Sequence, residues 1–289
     1  MTTLPFHRIA ILGTGLIGGS FALAIRKQIP SVAIIGFDRS ESAAQALTRG
    51  AIDKIAPDLA TAVQGADLIY IAMPIAATIE SLPQIAAAAK PGALITDACS
   101  TKTTVCKAAA EHFKNSARFL GGHPMAGKEH SGIENATADL FRGAPYALIA
   151  TEADPDPRVK TFASLLAAIG AQPIHTDPET HDWAVSIVSH LPQLMSVALA
   201  RARVVQDETD ETGLPLSLSG PGLQDTLRLA GSPYTIWRDI LLTNSTNISR
   251  ALDRLAQAID YLRTQLTSKE IQQEFDAANA LYQLLRKQK

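Results

Sequence analysis

The sequence predicts an α/β chain of two domains. The first, over residues 1–176, is a doubly wound, mostly parallel sheet; the second, over residues 177–289, is entirely helical. Three observations predict it. The first half alternates short apolar runs with alanine-rich stretches, a glycine-rich turn links the first run to a helix-like segment, and beyond Asp177 the strand-like runs give way to apolar residues spaced by three and four.

Bulk properties agree. A chain of 289 residues, 46% hydrophobic and 19% charged, is long and apolar enough for two packed units. A net charge of −2 excludes a generally basic surface, so nucleic acid is not an expected partner. Cys99 and Cys106 are the two cysteines, in a spacing that fits neither a zinc knuckle nor a redox pair; no metal site is expected, and the usage suits a reducing cytoplasm. MTTLPFH lacks the layout of a signal peptide. The longest apolar stretch, Leu68–Ile79, contains Pro74 and is too short to span a bilayer. A soluble, cytoplasmic protein without a membrane partner is expected.

The strand candidates are residues 8–13, 32–38, 67–74, 93–98, 118–122, 146–150 and 171–176. Most are continuously apolar rather than alternating, as in strands covered on both faces. Ser42–Arg49 and Ile75–Ala89 read as crossover helices. Asp177 then caps a helix with Pro178 in its first position, where a missing N–H is tolerated. Pro192 should bend this helix. His181 and His190, nine residues apart, would face opposite ways on a straight helix, so they are not a metal pair; His190 reads as a structural residue of the domain junction. Trp237, Leu241, Asn244, Ile248, Leu252, Leu255, Ile259, Leu262 and Leu266 form one helical stripe. Thr267 and Glu270 are spaced as a capping box for a last helix. A stripe of about eight turns exceeds what a small domain needs. It predicts a homodimer, with an internal helix hairpin as the alternative.

GTGLIG at 13–18 follows the first strand. Gly13 permits the tight turn, Gly15 lets the backbone approach a pyrophosphate, and Gly18 allows close helix–strand packing. Leu16 and Ile17 open the helix whose N–H groups and dipole favour a diphosphate. Asp38 stands 20 residues after Gly18, at the end of the second strand, where an acid accepts hydrogen bonds from a ribose and repels a 2′-phosphate. This is the fingerprint of a Rossmann domain that prefers NAD. Arg39 keeps NADP as the lesser alternative, because an arginine there can hold that phosphate. An isolated glycine turn beside an incidental acid would not explain the strand–turn–helix context.

Ligands of such sheets bind at the carboxyl ends of the strands. Met73–Pro74, DACSTK at 97–102 and GGHPMAGKEHSG at 121–132 lie there. His123, in a glycine- and proline-bounded loop, is the candidate base for a substrate hydroxyl. Ser100 is a second group for the same hydroxyl, or simply a helix cap.

GTGLIGGS, DACSTK, GGHPMAGKEHSG, HDWAVSIVSHLPQ (181–193) and LQDTLRLAGSP…IWRDI (223–240) occur in the order found in the prephenate and arogenate dehydrogenases, and the chain resembles that family over roughly residues 6 to 285. The resemblance implies a Rossmann domain with a helical dimerisation domain. It also implies oxidation of a cyclohexadienyl 4-hydroxyl, with loss of the ring carboxylate as carbon dioxide, on prephenate or L-arogenate. By the same resemblance His123 takes the hydroxyl proton and Ser100 helps to place that hydroxyl. Arg228 matches the carboxylate-binding arginine, Glu129 and Asp225 match acids arranged near it, and Trp237 matches a pocket residue. Without the resemblance, Arg228, Glu129 and Asp225 read as surface charges and Trp237 as core. Gln193 departs from the pattern: many prephenate-using relatives carry histidine there, and glutamine donates a hydrogen bond without charge. L-arogenate, or both acids, therefore stay open. No regulatory or mutase domain is expected beside the helical one. Two rival readings explain less. A 3-hydroxyacid dehydrogenase would need a helix lysine in a glycine-rich setting after residue 177, and a non-catalytic NAD sensor would have no use for His123, Ser100 and Arg228 together.

Overall fold

The structure, a computed structural model, describes residues 6–113, 117–128, 130–207 and 214–287. Its main sheet contains β1 (Arg8–Leu12), β2 (Ala33–Phe37), β3 (Lys54–Ile55), β4 (Leu68–Ile71), β5 (Leu94–Asp97) and β6 (Arg118–Leu120). Their order is β3-β2-β1-β4-β5-β6, and every pairing is parallel. The intervening helices are α1 (Leu16–Gln28), α2 (Ser40–Thr48), α3 (Leu59–Val63), α4 (Ile75–Ala88) and α5 (Thr103–His112). The runs are continuously apolar because both faces are covered. Ile9 and Ile11 of β1 enter one core with Phe21 and Tyr70, while Ala10 and Leu12 enter another with Val63 and Ile69. The two-residue β3 carried no sequence signal of its own.

A second sheet holds β7 (Gly122–Pro124), β8 (Pro145–Ile149) and β9 (Gln172–Thr176), in the order β7-β8-β9, with α6 (Pro157–Ala168) between the last two. β7 is antiparallel to β8, and β9 is parallel to it. The stretch 118–122 is therefore not one strand. The chain leaves the main sheet at Leu120 and enters the second at Gly122, and His123 lies in a strand opposite Ala147, not in a loop. The glycine pair makes the crossing possible: a Cβ on Gly121 would lie 2.8 Å from Cys106 Sγ, and one on Gly122 2.7 Å from the Asp97 carbonyl oxygen.

Asp177 accepts from Thr180 N at 2.8 Å and starts α7 (Pro178–Val185). One π-helical turn (Ser186–His190), in which Leu191 N reaches Ser186 O, joins α7 to α8 (Leu191–Asp207). The bend expected from Pro192 takes this form: a wider turn sits just before a residue that has no N–H to give. The segment Pro178–Ala202 is long and apolar enough by composition to cross a membrane. Its buried face, however, carries His181, Asp182, His190, Gln193 and Ser196.

The rest of the helical domain consists of α9 (Leu214–Ser217), α10 (Pro221–Leu227), a 3₁₀ turn (Arg228–Gly231), α11 (Tyr234–Thr243), α12 (Ser245–Gln265) and α13 (Ile271–Lys287). The stripe from Trp237 to Leu266 is not one helix; it breaks at Asn244. The cause is tertiary: buried Asn244 donates to Asp182 O at 2.7 Å and lies 3.3 Å from His190 Nδ1, which takes its backbone out of the helical region. Ahead of α13, Ser268 rather than Thr267 makes the turn's hydrogen bonds, accepting from Glu270 N at 3.1 Å and bonding the Glu270 carboxylate. No residue of α13 is buried, and α12 buries only Ile248 and Ala251.

The two domains meet through helix ends. Neither α4 nor α5 is capped by its own N-cap side chain. Asp239 of α11 accepts from Ala76 N at 3.0 Å, and Asp182 of α7 accepts from Lys102 N at 2.7 Å and Thr103 N at 2.9 Å. Each carboxylate satisfies helix N–H groups of the other domain and lies at the positive end of its dipole. Replacing Asp239 with Ala should lower the unfolding free energy by about 1 kcal/mol, the usual worth of a cap. Urea denaturation checks this, and an unchanged midpoint would remove the residue from the junction's energetics.

Candidate active site

The glycine turn lies at the carboxyl end of β1, beside the point where the strand order reverses between β1 and β4. Gly13 has φ +91°, and a Cβ there would sit 2.4 Å from the Ala72 carbonyl oxygen; one on Gly18 would meet Gly13 O at 1.8 Å. Both are packing positions. A Cβ on Gly15 would meet nothing within 4 Å. Gly15 also caps α1 without a side-chain hydrogen bond, so the N–H groups opening the helix at Leu16 and Ile17 receive no side-chain cap. Open space above an uncapped helix start fits a diphosphate. Asp38 comes directly after β2 with its carboxylate already aimed: Oδ2 accepts from Thr14 N at 2.6 Å and Thr14 Oγ1 at 3.2 Å, and Oδ1 accepts from Arg39 N at 2.7 Å. Thr14, between the first two glycines of the motif and unremarked in the sequence, is thus what orients the acid. Arg39 is exposed. Met73, half-buried, and Pro74, exposed at the start of α4, occupy the carboxyl end of β4 on the other side of the switch point.

His123 keeps 8% of its surface. Its Nδ1 lies 2.9 Å from His181 Nε2, and His181 Nδ1 lies 2.8 Å from Asp182 Oδ1. The two rings meet nearly edge to face, 5.1 Å between centroids. Among the described residues Nε2 of His123 takes no hydrogen bond, and it is not one of the side-chain atoms sealed from solvent without a partner. It is the ring nitrogen that the described residues leave unengaged. Burial holds the imidazole well below its usual 6.5, and neighbouring His181, Lys102 and His190 disfavour the added charge further. Burial pushes the Asp182 carboxyl up, but hydrogen bonds from His181, Thr103 and Lys102 outweigh it and leave the group below its ordinary range.

Beneath His123 lies a fully buried ion pair that sequence reasoning missed. Lys102 Nζ bonds the Asp97 carboxylate and donates to Gly122 O at 2.6 Å; Asp97 also accepts from Gly122 N at 3.1 Å and Cys99 N at 3.0 Å. These bonds sew the loop carrying Ser100 to the strand carrying His123. Ser100 is half-buried between β5 and α5.

His181 and His190 do not sit on the straight helix that their spacing assumed, although both are buried at the junction, each with its own partners. The π turn uses one more residue per turn than a straight helix, which rotates His190 back toward the junction. Its Nδ1 meets Asn244 and its ring meets the edge of Trp237 at 5.8 Å; burial pushes it down to about 4. Trp237 is half-buried and donates from Nε1 to Ser232 Oγ at 2.9 Å. Gln193 is buried on α8, on the same face as Ser196 one turn later, whose Oγ accepts from Ala230 N at 2.9 Å. That bond holds the turn beginning at Arg228, which is exposed, against the helix bearing Gln193. Asp225 is exposed on α10, one turn before Arg228. Glu129 lies outside the described residues. Among the described residues no cluster of three or more His, Cys, Asp or Glu side chains is placed to hold a metal.

Family models match both halves of the chain: "Prephenate dehydrogenase, nucleotide-binding domain" over residues 21–175, and "Prephenate dehydrogenase, dimerization domain" over residues 177–283. The chain belongs to the prephenate dehydrogenase family. It is 36% identical to the prephenate dehydrogenase of Bacillus subtilis (strain 168) over 92% of this chain and 72% of that one. It is 30% identical to the cyclohexadienyl dehydrogenase of Zymomonas mobilis over 92% and 90%. Among solved structures, prephenate dehydrogenase from A. aeolicus in complex with hydroxyphenyl propionate and NAD+ has a TM-score of 0.85, 26% identity, and 99% coverage of both chains. The family assignment makes the chain an oxidoreductase, in keeping with its Rossmann-plus-helical architecture.

The three turn glycines should separate experimentally. Gly13→Ala should lower stability by about 2 kcal/mol or more, since it adds left-handed strain and a backbone clash. Gly15→Ala should leave stability within about 0.5 kcal/mol and weaken dinucleotide affinity instead. Urea denaturation and calorimetric titration check the pair; similar unfolding losses in both would refute the distinction.

Proposed function

We propose that this chain catalyses the NAD-dependent oxidative decarboxylation of prephenate to 4-hydroxyphenylpyruvate, of L-arogenate to L-tyrosine, or of both, in tyrosine biosynthesis. The observation that carries the reading is a neutral strand histidine, His123, with one ring nitrogen engaged by protein and the other left unengaged by the described residues, in a chain of this family. NAD, when bound, supplies the hydride acceptor. Gly13, Gly15, Leu16, Ile17 and Gly18 would hold its diphosphate, and Met73 and Pro74 would line the sheet's switch point. Asp38, already fixed by Thr14, would accept the ribose hydroxyls and repel a 2′-phosphate, favouring NAD over NADP.

On the protein side His123 Nε2 takes the proton of the 4-hydroxyl, and Ser100 shares a hydrogen bond with that oxygen. Arg228 orients a substrate carboxylate as a bidentate cation, with Asp225 and Glu129 near it at the mouth and Trp237 walling the pocket. Gln193 offers a hydrogen bond without charge, which is why both acids belong in the proposal. Loss of the ring carboxylate leaves an aromatic product, so alignment and one proton acceptor suffice. The match to a dimerization domain and the bare apolar residues Ile259, Leu262, Leu266, Phe275, Tyr282 and Leu285 support a homodimer, working as a soluble cytoplasmic enzyme. An internal hairpin would have buried part of α13.

NADH formation by the pure protein, with each acid in parallel, tests the reading; turnover of neither would end it. His123→Ala should cut kcat by roughly 10²–10⁴-fold with dinucleotide affinity kept. Because the neutral imidazole is the working form and its pKa lies below 6.5, kcat/KM should hold as pH falls through 6.5 and decline only further down. Unchanged turnover in the variant would take His123 out of the chemistry. Arg228→Ala should raise KM by about 10- to 150-fold, the worth of a charged hydrogen bond at about 1.5–3 kcal/mol. An unchanged KM would refute the arginine's role.

A further inference from the structure

We propose that His181 and Asp182 are positioning residues that hold His123 in its Nδ1–H tautomer, and so make Nε2, the nitrogen left unengaged by the protein, the base. The inference rests on His123 being the proton acceptor and says how its reactive nitrogen is chosen.

Hydrogen-bond counting carries the argument. The Asp182 carboxylate accepts from Lys102 N and Thr103 N at the start of α5, and an ionised carboxylate can only accept. The His181 nitrogen 2.8 Å from it must therefore carry the hydrogen. In a neutral His181 this leaves Nε2 bare, and that atom faces His123 Nδ1 at 2.9 Å. Were the His123 hydrogen on Nε2, two lone pairs would point at each other across 2.9 Å. The hydrogen therefore sits on Nδ1 and donates to His181, and the free lone pair belongs to Nε2.

Nothing else described near His123 could make this choice. Lys102 spends its ammonium on Asp97 and Gly122 O, and His190 turns its Nδ1 to Asn244. A free imidazole prefers its hydrogen on Nε2, the arrangement that would present the substrate hydroxyl with a donor instead of an acceptor. The order passes through the helical domain: the α5 N-terminus holds Asp182, Asp182 sets His181, and His181 sets His123 back in the first domain. A histidine oriented by a buried carboxylate obeys the logic known from hydrolytic triads, here with a second imidazole between the two.

The test uses the full-length protein in three forms: wild type, His181→Leu, which removes the acceptor, and His181→Gln, whose amide oxygen can still accept. ¹⁵N spectra of histidine-labelled protein report which His123 nitrogen is protonated. The wild type should show Nδ1–H, and His181→Leu should move the hydrogen to Nε2. In His181→Leu kcat should fall by about 10- to 100-fold, the range for outer partners of a working histidine, with the affinity for NAD within about twofold. In His181→Gln most of kcat and the Nδ1–H signature should return. Wild-type protein with its hydrogen on Nε2, full kcat in His181→Leu, or equal losses in the Leu and Gln variants would overturn the proposal. Should His181→Leu not fold, the wild-type spectrum and His181→Gln still decide it. A wild type that turns over neither acid would defeat the base assignment while leaving the tautomer measurement intact, so the two failures can be told apart.

Discussion

The arrangement hinges on one carboxylate, that of Asp182. Buried where the helical domain meets the Rossmann domain, it satisfies the first N–H groups of α5 and accepts from His181, while the same residue's backbone carbonyl receives Asn244. A buried charge is tolerable only when nearly every lone pair is used, and here the carboxylate takes three donors from two elements, the start of α5 and α7. The same bonds that hold the domains together therefore orient the imidazoles beside the cleft. One carboxylate thus serves both the domain junction and the imidazole pair, and the junction cannot loosen without disturbing that pair.

The Lys102–Asp97 pair plays a related part beneath the strand. Both side chains are fully buried, so their mutual attraction is set against a large desolvation cost, and such a pair is weak evidence for stability. What it supplies is position. Between them the ammonium and the carboxylate bond both backbone polar groups of Gly122, the residue before His123, at the point where the chain passes from one sheet to the other. Glycine is required there because the Asp97 carbonyl already occupies the space of a side chain.

The far end of the chain obeys a different constraint. α12 and α13 bear large apolar side chains that their own domain does not cover, with Phe275 of α13 69% exposed and Leu266, at the end of α12, 70% exposed. Exposed apolar patches of that kind are what association surfaces carry, and the family match over these helices is to a dimerization domain. The helices that reach outward and those that clamp the dinucleotide domain thus belong to one unit with two faces, one polar and networked, the other apolar.

Layout and inventory can be read from the residues alone. Apolar runs marked β1, β2, β4 and β5, the glycine turn with Asp38 marked the nucleotide end, Asp177–Pro178 marked the change to helix, and the motifs around His123 and His190 marked the family. These features were legible because each is local: a period, a cap, or a turn needing glycine. Where the pieces meet follows from three-dimensional packing. It placed His123 in a strand, broke the long stripe at Asn244 to satisfy Asp182 and His190, and rotated His190 through a π turn. It also brought His181 against His123 although 58 residues separate them. Helical periodicity could not foresee that contact, because hydrogen bonds between buried polar groups depend on how two domains dock, which leaves no periodic trace in the chain.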